Sequence, residues 1–184
     1  VRPVRALSCP PSSLVPPRGA DSPAPGTRSP GIGRVTTGPS ASAYDTWATG
    51  FGLSGLDAGF EVDFDKDGLD NGLEFVLGGD PTLNDVPSKA PVQTLDASDL
   101  ILTFKRADAS IAGTTLSAEW DVDLAGTWTS VAITRTTDGN DTLANGVNVA
   151  VVTHGAQPDD ITVRIPRANA VGDKLFGRIK ATQP

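Results

Sequence analysis

The sequence predicts a mainly β protein: a small antiparallel β-sandwich, preceded by a short helix–loop–helix segment and a disordered N-terminal tail. Three observations lead there. Residues 91–184 hold short runs in which apolar and polar residues alternate, the period of a half-buried strand. Clusters rich in Asp, Asn, Gly and Ser punctuate those runs, as turns require. Residues 1–43 have no aromatic residue and are dominated by Pro, Gly and Ser, a composition that buries too little apolar area to offset its ordering entropy.

The expected organisation has three parts: the tail (1–43), a lead segment with the loop and a short helix (44–85), and the β part (91–184). In the tail the basic residues are all Arg, Asp21 is the sole acid, and Pro10-Pro11 and Pro16-Pro17 favour extended polyproline geometry. Cys9 lies here without an acidifying neighbour, so it reads as incidental rather than reactive. A linker or Pro-rich ligand is the functional alternative to plain disorder. No continuous apolar core of a signal peptide occurs in Val1–Ser42. With Val in place of Met at position 1, we expect a piece of a longer chain.

In residues 44–62, Asp45 is placed to cap a short helix through Trp47 and Ala48. Tyr44, Trp47, Phe51, Leu53 and Leu56 should fold over the next helix, against Leu73, Phe75, Val76 and Leu77. That helix is expected over about Asp70 to Leu77, ended by Gly78-Gly79 and Asp80-Pro81.

Between them lies the most specific stretch, Asp63-Phe64-Asp65-Lys66-Asp67-Gly68-Leu69-Asp70-Asn71-Gly72-Leu73-Glu74. It matches D-x-[DN]-x-[DN]-G-x5-E at every defined position, the pattern of a calcium loop. Calcium is a hard cation that gathers about six to eight oxygens. Alternation lets the short carboxylates of Asp63, Asp65 and Asp67 converge, and Gly68 permits the sharp turn. The Leu69 carbonyl, Asn71 (directly or through water) and a bidentate Glu74 would complete the shell. Without an ion these acids repel one another and the loop should be loose. The flanks differ from a paired EF-hand. The incoming segment is too Gly-rich for a stable helix, Asp70 stands where an apolar residue is usual, and no second loop occurs. A calmodulin-type switch is therefore not expected.

Residues 44–81 resemble a segment common near the C-termini of large exported bacterial proteins. Trp47-Ala48, Gly52-Leu53, the acidic loop, Asn71, Glu74-Phe75, Leu77-Gly78 and Asp80-Pro81-Thr82 carry the resemblance. The loop is also similar to the calcium repeats of thrombospondin type 3 and of dockerins. Dockerins have two such repeats and this chain has one, so cohesin binding is not expected. The run from Ser117 to Trp128 resembles a strand-then-Thr-Trp element of the same exported modules. The resemblance implies a calcium-binding, non-catalytic accessory module, secreted or at the cell surface, with calcium as its cofactor.

In the β part, Leu100, Leu102 and Phe104 alternate with polar or opposite-face residues, as do Leu116, Ala118 and Trp120. Val131 and Ile133 continue a strand after Trp128. Val147, Val149 and Val151 mark another, and Ile161, Val163 and Ile165 one that Pro166 ends. Leu175, Gly177, Ile179 and Ala181 share a face of the last. Turns are expected at Asp96–Asp99, Asp123–Gly126, Asp138–Asp141, Asn145-Gly146 and Gly155–Asp159. About six or seven short strands at this spacing read as a sandwich.

No catalytic constellation emerges, and the chain is not expected to be an enzyme. His154 is the sole His, and Gly52-Leu53-Ser54-Gly55 is not a nucleophile elbow. Glu119, Asp121 and Asp123 share a strand face and read as a solvated face rather than a glycosidase carboxylate pair. Structural zinc needs more His and Cys than one of each. The net charge of −7 argues against nucleic acid as a partner, and no apolar run reaches membrane-spanning length. Two alternatives stand beside the accessory module. One is a module that binds a glycan or cell-surface component through Trp128. The other is the tail of a secreted hydrolase whose catalytic domain lies upstream.

Overall fold

The computed structural model describes residues 40–183, so all but the last few residues of the expected tail, Cys9 included, lie outside the described residues. Helix α1 (Ala43–Gly50) starts from a Ser42 cap. The Ser42 hydroxyl accepts from Asp45 N–H at 3.0 Å, and the Asp45 carboxylate accepts from Ser42 N–H at 3.1 Å. Asp45 is thus the third helical residue of a capping box rather than the cap itself, because Ser42 reaches the same orphan N–H groups from outside the helix.

After α1 the chain turns through Gly52, at φ 81°, and a single 3₁₀ turn, Gly55–Ala58. Tyr44, Ala48, Leu53 and Phe75 form a small cluster with Trp47, Ala58 and Phe60 around it. Leu56, expected in this cluster, is instead 91% exposed on the 3₁₀ turn. Phe60 takes the space, 5.0 Å from the Tyr44 ring centroid. It fits because residue 72 is glycine: a Cβ there would lie 2.2 Å from the Phe60 ring.

Helix α2 (Asn71–Leu77) is capped by Asp70, which accepts from Leu73 N–H at 2.7 Å. That cap explains a carboxylate where a paired EF-hand loop carries an apolar residue. Gly78 ends the helix in the left-handed region, φ 69°. A turn at Asp80-Pro81-Thr82, held by Thr82 N–H and Oγ on the Asp80 carboxylate, leads to the one-turn helix α3 (Val86–Lys89).

Eight strands follow, in two antiparallel sheets that form a small β-sandwich. They are β1 (Val92–Leu95), β2 (Asp99–Arg106), β3 (Thr115–Asp121), β4 (Thr129–Ala132), β5 (Gly139–Thr142), β6 (Asn148–His154), β7 (Gln157–Pro166) and β8 (Phe176–Thr182). A one-turn helix, α4 (Asp108–Ile111), lies between β2 and β3. One sheet runs β1-β2-β7-β6-β5 and the other β4-β3-β8. The predicted alternations hold: Leu100, Leu102, Phe104, Leu116, Ala118, Trp120, Val147, Val149, Val151, Ile161, Val163 and Ile165 are buried in one core. Gly177 lets β8 approach β2, since a Cβ there would lie 2.8 Å from a Leu100 methyl. Val76 and Leu77 of α2 enter the same core, and Ala107 N–H donates to Val76 O at 2.7 Å.

Two strands were not expected. β1 has four exposed residues and therefore no alternation to read. β5 occupies Gly139–Thr142, where composition predicted a turn. As an edge strand it needs no apolar face, and its ladder to β6 is reinforced by Arg135, which donates to Asp138 O at 2.8 Å and to the Asp141 carboxylate at 2.6 Å. The expected Gly155–Asp159 turn is shorter than predicted. β7 begins at Gln157, and Asp159 is buried in an ion pair with Arg106 at 2.7 Å. No helix among the described residues is long and apolar enough to cross a membrane.

Candidate metal centre

The acidic loop folds on its own carboxylates. Asp63 accepts from the N–H groups of Asp67 and Gly68 at 3.2 and 3.0 Å. Asp65 accepts from Asp67 N–H at 3.1 Å, and Asp67 from Leu69 N–H at 2.8 Å. Gly68 sits at φ 103°, a conformation that favours glycine, as the motif requires. One oxygen each from Asp63, Asp65 and Asp67 lies within 4.8 Å of the others. Two oxygens on a calcium ion, each about 2.3–2.6 Å from it, stand at most about 5 Å apart, so this spacing suits a shared cation.

Helix α2 brings in Glu74. Its side chain is fully buried, yet neither carboxylate oxygen has a hydrogen-bond partner. Burial is the main cause that pushes its carboxyl up to about 8, followed by the charges of Asp65, Asp67, Asp85 and Asp63. Asp65 is also raised, by desolvation first and then by Asp67, Asp63 and Asp85, and its Oδ2 is buried without a partner. Buried polar atoms are ordinarily satisfied. Orphaned carboxylate oxygens that face other carboxylates match the donor set of a hard cation.

Asp85 is the acid that sequence reasoning missed. One oxygen each from Asp67, Glu74 and Asp85 lies within 4.8 Å of the others. Leu69 and Asn71 were the other two expected contributors. The side chain of Leu69, whose backbone carbonyl is the expected donor, is buried in the sandwich core. Asn71 is fully buried; its side-chain nitrogen donates to Asp57 O and Gly59 O, both at 2.9 Å, which ties α2 to the lead segment, and its Oδ1 is left without a hydrogen-bond partner. The only signal for Asp85 in the sequence is its position ahead of Val86-Pro87, which reads as an ordinary helix start.

The remaining candidates carry less chemistry. Glu119 and Asp121 were expected on a solvated face, but both are buried. Arg178 covers Glu119, at 2.7 Å, and lies 3.9 Å over the Trp128 ring. Asp121 folds back on the N–H of Val122 at 2.6 Å. Its carboxyl lies below the usual range: desolvation, the largest single influence, opposes this, and the N–H groups of Val122, Asp123 and Gly126 outweigh it. Trp128, the residue singled out for glycan contact, is half-buried with a guanidinium on one face. His154 is partly exposed and pairs with Asp160 at 2.8 Å, beside Lys105.

Comparison with protein-family models, curated proteins and solved structures returned no match for this chain.

Proposed function

We propose that this chain is a calcium-binding, non-catalytic module in which one ion orders the junction between a short helical segment and a β-sandwich. By the resemblance in its loop and flanks, it serves as an accessory or structural part of an exported or cell-surface protein. The observation that carries this reading is Glu74: a fully buried carboxylate with two unpartnered oxygens, surrounded by other acids. A divalent cation would neutralise that cluster and satisfy its lone pairs at once, so binding and folding are linked. At calcium a hundredfold above the dissociation constant, linkage supplies about 2.7 kcal/mol, a large share of a small domain's stability.

Calorimetric titration of the full chain with calcium, paired with thermal melting, tests it. One ion bound per chain with a raised melting temperature is the expected result. A chain that neither takes up calcium nor melts differently in EDTA overturns the reading.

A further inference from the structure

We propose that Asp85, which lies outside the twelve-residue loop, is a direct ligand of the ion held at Glu74, in a carboxylate set with Asp67 and Glu74 that meets the loop triad of Asp63, Asp65 and Asp67 at Asp67. This rests on the calcium reading above and extends it to a residue that the loop motif does not contain.

Four observations support it. An Asp85 oxygen lies within 4.8 Å of oxygens from both Asp67 and Glu74. Asp85 Oδ1 is buried and has no hydrogen-bond partner, while its Oδ2 accepts from Asp80 N–H at 3.0 Å. That bond orients the carboxylate and leaves one oxygen free, as an outer-shell partner does for a ligand. Asp67 Oδ2 in turn accepts from the N–H groups of Asp85 and Val86, at 3.1 and 3.3 Å, so the loop itself holds residue 85 in place. Finally, Gly79 leaves the room: a Cβ there would lie 3.2 Å from both Asp85 Oδ2 and the Glu74 side chain.

Asn71, the side chain the motif would use, is tied by its nitrogen to the lead segment, while its Oδ1 is buried and has no hydrogen-bond partner. Asp85 supplies a charged donor beyond those of the loop, and higher ligand charge tightens calcium sites. Three carboxylates on one ion also disfavour magnesium, which keeps several of its waters and demands strict octahedral geometry.

The test uses the full chain, calcium calorimetry, and europium(III) luminescence decay in H₂O and D₂O, which counts water molecules on the bound ion. Asp85→Asn retains an acceptor for Asp80 N–H but removes the charge. We expect it to bind calcium about 10- to 100-fold more weakly and to carry about one more water on europium than wild type. Asp85→Glu, which keeps a carboxylate, should hold the wild-type water count, and it serves if the Asn variant does not fold. Unchanged affinity, or weaker affinity with an unchanged water count, makes Asp85 at most a positioning residue and overturns this inference while the loop site stands. If wild type binds no ion, both readings fall.

Discussion

Replacing Glu74 by Gln should stabilise the calcium-free protein and abolish its response to calcium. Glu74 is fully buried, and its carboxyl is pushed from an ordinary 4.5 up to about 8. In the unfolded chain it ionises near 4.5. Between that pH and about 8 the native state holds a proton that the unfolded state has lost, so stability falls as pH rises through this window. Below 4.5 both states are protonated and the penalty vanishes; above 8 it is complete. At pH 7.5, about 1.36 kcal/mol per pKa unit gives a penalty of roughly 3–4 kcal/mol. Gln is nearly isosteric and has no such penalty. In EDTA the variant should therefore melt roughly 5–15 °C higher than wild type, at about 2–4 °C per kcal/mol for a chain of this size. In calcium, wild type gains and the variant does not, so the gap closes or reverses. The assay is thermal melting of both full chains, in EDTA and in calcium, from pH 4.5 to 8.5. An EDTA gap that does not widen with pH, or equal calcium gains in both proteins, would refute the reasoning.

Two further substitutions probe the scaffold. Gly72→Ala places a methyl 2.2 Å from the Phe60 ring and should cost roughly 1–3 kcal/mol by overpacking, despite alanine's better helix propensity; urea unfolding reads it, and a variant as stable as wild type would show that Phe60 is free to move. Asp159→Ala strands Arg106, a guanidinium only 4% exposed, and should cost roughly 3–5 kcal/mol, whereas Lys105→Ala, at the exposed pair with Asp160, should leave the urea midpoint nearly unchanged.

What could be read from the sequence was whatever has a short period or a fixed spacing. The β2, β3, β6 and β7 alternations are visible because one face of each strand enters a shared core. The α2 limits were legible because Asp70 and Gly78 are local signals tied to backbone groups within a turn. β1 and β5 were missed because an edge strand is defined by the neighbour it pairs with, not by its own pattern. The burial of Glu119 was hidden for a related reason: Arg178, which covers it, comes from β8, on the strand paired beside it. At the acidic site, the three loop acids and Glu74 could be found by spacing alone. Asp85 could not, because the Asp80-Pro81 turn that returns it to the site imposes no fixed interval.

The consequence of that returning turn is mechanical. Helix α2 is only seven residues long, yet three of its consecutive side chains serve three different surroundings. Glu74 meets the acids, Phe75 packs under Tyr44 and Trp47, and Val76 enters the sandwich core. Such a helix is too short to be stable on its own, so its place depends on all three contacts together. With the acids unneutralised, one of the three is repulsive, and the strain falls on a helix that also supplies Val76 O to Ala107 N–H at the end of β2. The segment beyond α2 is tied to it again, by Lys89 Nζ on Gly78 O and by Asp67 on the start of α3. Neutralising the cluster would therefore tighten the lead segment, α2 and the approach to β1 as one unit. Calcium should accordingly raise hydrogen-exchange protection at Val76, Gly79 and Val86, and the strand pairs far from α2, such as β5 with β6, should change least.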